Sequence, residues 1–126
     1  ERICGICAFG HSYGYAQTIE NMMNVEVPER AEFLRVIMHE LSRIHSHLLW
    51  MGLAADAFGY EALFMHCWRL RERILDIFET VAGGRVILSY TLLGGAAKDI
   101  EAPTLAAIKD TLNSLKKEYA EFVTLS

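Results

Sequence analysis

Two thiols three residues apart, Cys4 and Cys7, open a sequence of 126 residues. At that spacing both sulfurs can reach one metal ion, and Gly5 between them lets the backbone fold tightly. Arg2 and His11 bracket the pair with groups able to carry positive charge. A helical pattern follows directly, so the loop is expected to sit against a helix N-terminus. Positive charge and a helix N-terminus both favour thiolate over thiol, and the thiolate is the metal ligand. Taken alone, Cys-x-x-Cys is half a zinc site, a redox dithiol or two unremarkable cysteines.

The elements that must hold this loop are helices. Residues 1–11 read as a loop and 12–24 as a short helix, with Ser12 as N-cap and Ile19, Met22 and Met23 as its apolar face. Pro28 suits the start of a second helix, where Glu29 and Glu32 place negative charge at the N-terminus. That helix is long: Leu34, Ile37, Leu41, Ile44, Leu48 and Met51 form one stripe, and it ends before Gly59. Gly52 and Ala54-Ala55 permit close packing. A third helix carries Leu63, Cys67, Leu70, Ile74, Ile77 and Val81 and stops at Gly83-Gly84. Residues 85–93 are β-branched and apolar, a short strand or an extended crossing, and Gly94-Gly95 makes a turn. The last helix begins near Pro103, with Leu105, Ile108, Leu112, Leu115, Tyr119 and Phe122 as its stripe. Its Lys109, Asp110, Lys116, Lys117, Glu118 and Glu121 face solvent. The expected fold is all-α: an antiparallel helical bundle with one long central helix, an N-terminal metal-motif loop and a short extended segment near 85–93.

The longer string Arg2-x-Cys4-Gly5-x-Cys7-x-x-x-His11, with Ser12, Tyr15-Ala16 and Ile19-Glu20 downstream, resembles the first metal-binding motif of the [NiFe]-hydrogenase large subunit. It looks most like the membrane-bound, energy-converting branch, which is homologous to the quinone-pocket subunit of respiratory complex I. The resemblance covers roughly residues 1–100. It implies that Cys4 and Cys7 are metal ligands and catalytic residues of a nickel–iron centre, with Arg2 and His11 orienting and tuning them. In that family two more cysteines come from a C-terminal Asp-Pro-Cys-x-x-Cys, whereas the only other cysteine here is Cys67. The chain also opens inside the motif. It therefore reads as residues 1–126 of an excised internal piece of a larger catalytic subunit, carrying half of the metal site.

The complex I relatives usually place an Asp two residues before a helix-ending Gly. Here that position is Ala57, and Asp56 stands one step earlier. With the Cys-x-x-Cys retained, this points to hydrogenase over quinone reductase. The alternative is a subunit that walls a quinone pocket without nickel, and a third is an inactive, self-associating helical module. The resemblance implies an iron–sulfur small subunit and membrane subunits as partners, and a place on the cytoplasmic side of a membrane, peripheral through those partners. No Gly-rich dinucleotide motif is present, so NAD would bind a partner.

Other candidates have plainer readings. His39, Arg43 and His47 share one helix face and suit a polar seam of hydrogen-bonded side chains. Cys67 reads as a small buried hydrophobe. Trp50, Trp68 and the methionines read as core, and Tyr13 and Tyr15 as packing beside the loop. The net charge is -4, and the 12 basic residues are dispersed, which argues against nucleic acid. Three cysteines make no disulfide framework and suit a reducing setting. The uncharged runs 44–55 and 86–97 are shorter than a membrane span.

Overall fold

The structure is a computed structural model that describes residues 2–125, with side chains described to residue 120. Four helices carry it: α1 (Ala8–Met23), α2 (Glu29–Ala57), α3 (Glu61–Ala82) and α4 (Ala102–Leu125). Two short strands, β1 (Thr91–Leu92) and β2 (Gly95–Ala96), form an antiparallel hairpin between α3 and α4. Its turn uses Gly94 at φ +81°, a conformation that costs glycine nothing. The expected all-α bundle is thus observed, with the extended segment narrowed to a two-residue pairing.

The helix starts follow the chemistry of their first turns. Glu29 and Glu32 lie at the positive end of α2, which runs 29 residues, about 44 Å at 1.5 Å per residue. α3 stops at Gly83, whose N–H donates to the Glu79 carbonyl. α1 starts earlier than expected. Cys7 is its N-cap, and Ser12 lies inside the helix with its hydroxyl donating to the Phe9 carbonyl. The early start follows from packing: Ala8 and Phe9 are buried, and the Phe9 ring meets His39 of α2 at 6.2 Å.

The centre is the α2–α3 hairpin, antiparallel and closely packed. Leu34, Leu41 and Leu48 are buried as the stripe requires, and Ile37 and Met51 pack half-buried against the core, but the deepest positions beside the leucines are Met38, His45 and Gly52, and Ile44 turns to the surface. The buried line thus runs one residue around the helix from the expected one. The α3 stripe from Cys67 to Val81 is buried as read. At Gly52 a Cβ would stand 2.9 Å from the Trp68 ring, so only glycine lets the two helices approach so closely here.

Several expectations are corrected. Trp50, Met22, Met23 and Met65 are exposed, because their helices turn other residues inward. On α1 the buried face is Ala8, Phe9, Tyr13, Ala16 and Glu20. His39, Arg43 and His47 form no mutual hydrogen bonds among the described residues. Instead His39 packs on Tyr13, Arg43 pairs with Glu40, and His47 lines an open apolar groove. On α4, Ile108 and Leu115 are buried, whereas Tyr119 is half exposed. Glu118 turns back to pair with Arg73 of α3 and is not a solvent-facing charge. The side chains of Glu121 and Phe122 lie outside the described residues.

Candidate metal centre

Cys4 and Cys7 sit on the surface at the start of α1. Cys7 is exposed and Cys4 half-buried, and both are free thiols. The Cys4 Sγ accepts the backbone N–H groups of Ile6 and of Cys7, each at 3.4 Å. These donors arise because the chain is winding into a helix whose first amides lack partners. The Cys7 N–H and the Cys7 thiol, then the Ile6 N–H, hold the Cys4 thiol below its usual range. The same hydrogen bond between sulfurs, with some burial, pushes Cys7 up. The two thiols are thus shifted in opposite directions, with Cys4 the one that gives up its proton more readily.

Gly5 has open space above its Cα and no positive φ, so the turn does not require glycine at that position. Arg2 is exposed beside the loop, and His11 is exposed on the first turn of α1, its backbone N–H donating to the Cys7 carbonyl. Neither side chain reaches a sulfur among the described residues. Among those residues, too, no group of three or more Cys, His, Asp or Glu side chains comes together as a metal site. The donor set is two soft thiols at an accessible edge, a pair that suits a thiolate-preferring metal ion and supplies two of the ligands such a site needs. Cys67 is fully buried, and burial pushes its thiol up, as suits an inert core residue.

Behind the loop lies a polar core that the hydrophobic pattern does not reveal. Arg35 of α2 is fully buried and Glu20 of α1 is 5% exposed. Their fork closes at 2.7 Å (Nη2 to Oε1) and 3.0 Å (Nη1 to Oε2). Arg35 also donates to the carbonyls of Leu92 and Gly95, and Glu20 accepts the Gly94 N–H. One ion pair thus ties α1, α2 and the hairpin together. Arg35 holds the Glu20 carboxyl below the usual range, and Glu20 in turn raises Arg35. Tyr13 donates to Glu32 at 2.6 Å; burial, then that carboxylate, pushes its hydroxyl up to about 12. His45 is buried against Phe78 with neither ring nitrogen bonded, and burial pushes it down to about 4. Arg35 and His45 could have been suspected only from their positions on the inward stripe of α2.

The sequence has relatives in two directions. Residues 1–55 match the family model for nickel-dependent hydrogenases, and residues 57–126 match that for the 49 kDa subunit of respiratory-chain NADH dehydrogenase. Membrane-bound hydrogenase subunit alpha of Pyrococcus furiosus is 48% identical over 79% of this chain and 23% of its own length. Formate hydrogenlyase subunit 5 of Escherichia coli is 37% identical over 98% of this chain and 22% of its own. A subunit of the NADH-quinone oxidoreductase of Protochlamydia amoebophila is 42% identical over 85% of this chain and 27% of its own. The chain therefore spans about a quarter of the length of these relatives.

Proposed function

We propose a function from one premise: the chain belongs to the family that unites nickel-dependent hydrogenase large subunits with the 49 kDa subunit of respiratory NADH dehydrogenase. On that premise, it is one helical module of a longer catalytic subunit of a membrane-associated [NiFe] hydrogenase. Cys4 and Cys7 supply two of the protein ligands to its nickel–iron centre. The observation that carries the reading is the thiol pair itself, held with two backbone N–H groups on Cys4 and open at the edge of the bundle. Such a centre, when bound, supplies the splitting of H2 or its formation from protons.

This chain's own part is to present the ligands and keep them in place. The Ile6 and Cys7 amides stabilise negative charge on Cys4, which a metal ligand must carry. α1 fixes the loop because Phe9 and Tyr13 are packed on α2 and Glu20 is locked to Arg35. Arg2 and His11 stand close enough in sequence to orient ligands once the rest of the subunit folds over the edge. Electrons would pass to an iron–sulfur partner, since one further cysteine cannot hold a cluster. No helix among the described residues is long and apolar enough to cross a membrane. We place the subunit at the membrane through partner subunits.

The second reading is a quinone-pocket subunit without nickel, favoured by the match of residues 57–126 to the NADH dehydrogenase family model. Metal analysis of the purified full-length protein separates the two. Stoichiometric nickel supports the hydrogenase reading. Its absence after maturation, together with quinone protection of an NADH-linked activity, supports the other.

A further inference from the structure

Cys4 and Cys7 have a capacity that needs no metal. We propose that the pair is a reversible dithiol–disulfide site, closing into a ring when it meets a small-molecule disulfide. The inference goes beyond the nickel reading and stands on the two sulfurs alone.

The geometry carries it. The Cys4 Sγ lies 3.4 Å from the backbone nitrogen of Cys7 itself and 3.4 Å from that of Ile6, so the chain curls back to set the first sulfur against the residue that carries the second. Cys7 is the N-cap, outside the regular helical backbone of α1, and Cys4 lies in the loop before it, so a ring between them makes no demand on the helix itself. Both residues reach solvent, whereas Cys67 is sealed from it, so a soluble oxidant finds two of the three thiols.

The step balances with a disulfide RSSR as oxidant. Cys4, as thiolate, attacks one sulfur of RSSR, forming Cys4–S–SR and releasing RS⁻. The Cys7 thiol passes its proton to RS⁻ and its sulfur attacks Cys4, expelling a second RS⁻. Two cysteine sulfurs lose two electrons, RSSR gains them, and one RSH and one RS⁻ leave. In the ring neither sulfur is a free thiolate. Given the nickel reading, closure would hold the pair unable to take metal until a thiol reopens it.

The test equilibrates the 126-residue chain with mixtures of oxidised and reduced glutathione, quenches it in acid, alkylates it and reads intact mass and peptide maps. The expected product is a monomer lighter by two hydrogens, with a Cys4–Cys7 bond, alkylated Cys67 and full reversal by excess reduced glutathione. Cys67→Ala should give the same ring. Cys7→Ser should stop at a Cys4–glutathione mixed disulfide, accumulating about tenfold or more over the wild type. Free or separately glutathionylated Cys4 and Cys7 at the most oxidising ratio would overturn the proposal, as would disulfide-linked dimers in place of the ring. Nickel content is read separately in the full-length subunit, so either proposal can fail without the other.

Discussion

Arg35 and Glu20 face each other inside the bundle, 15 residues apart in sequence, with the arginine fully buried and two of its nitrogens on the two carboxylate oxygens. Burying both charges is costly, and the extra bonds to Leu92, Gly95 and Gly94 offset that cost. Removing one partner leaves the other unpaired. Glu20→Gln and Arg35→Met should each destabilise the chain by about 3–5 kcal/mol, read by urea unfolding. The double variant should lose less than the sum. Additive losses would show that the two groups are not coupled.

The same pair sets an acid limit. The Glu20 carboxyl is held low by Arg35, so its contribution is complete above the ordinary carboxylate range, near pH ~4.3, and fades as pH falls further. His45 works in a higher window. Its folded form stays neutral to about 4, while the unfolded chain takes up a proton near 6.5. Stability should therefore fall by up to about 1.4 kcal/mol per pH unit as pH drops between those values. His45→Leu should remove that slope and leave the steeper loss below it. Because neither ring nitrogen is bonded, the variant should be no less stable than wild type at pH ~5. An unchanged slope would place the titrating group elsewhere.

Gly52 is held at its size by Trp68. The added methyl of Gly52→Ala would press on the indole at 2.9 Å and on the Cys67 Cβ at 3.2 Å. Trp68 stacks on Phe64 at 4.5 Å and lies under the Arg71 guanidinium, so it yields only by disturbing both. The overpacking outweighs the helical gain of alanine, and we expect a net loss of about 1–2 kcal/mol with a shifted tryptophan emission. Trp68→Phe in the same chain should recover most of it.

These residues show what one dimension conceals. The lengths of α2 and α3 were legible, because Leu34, Leu41, Leu48, Leu70 and Ile74 recur at helical spacing. The rotation of α2 was not. Ile44 is more apolar than His45 and Met51 than Gly52, yet His45 and Gly52 are the ones set against α3, since glycine is needed where Trp68 arrives, while Ile44 borders an open groove. The start of α1 was misplaced because Ser12 resembles a cap, while burial of Phe9 draws the helix back to Ala8. The thiol pair was legible from spacing alone. The Arg35–Glu20 lock was not, because each residue reads as an ordinary surface charge until the helices are brought together.

The sharpest consequence of the proposed metal role concerns which cysteine matters. Cys4 and Cys7 are accessible and joined by the Cys7 backbone N–H, which donates to the Cys4 sulfur, whereas Cys67 is sealed between α2 and α3. In the full-length subunit, Cys4→Ser and Cys7→Ser should each lower bound nickel at least about tenfold, because a hydroxyl replaces a soft thiolate. Both changes lie on the surface, so unfolding stability should move by no more than about 0.5 kcal/mol. Cys67→Ala should do the reverse: nickel retained, and stability reduced by about 1 kcal/mol through the small void it leaves. Arg2→Ala and His11→Ala, which act through the ligands, should fall between these limits in nickel content. A Cys4→Ser subunit that keeps its full nickel complement would remove the thiol pair from the centre.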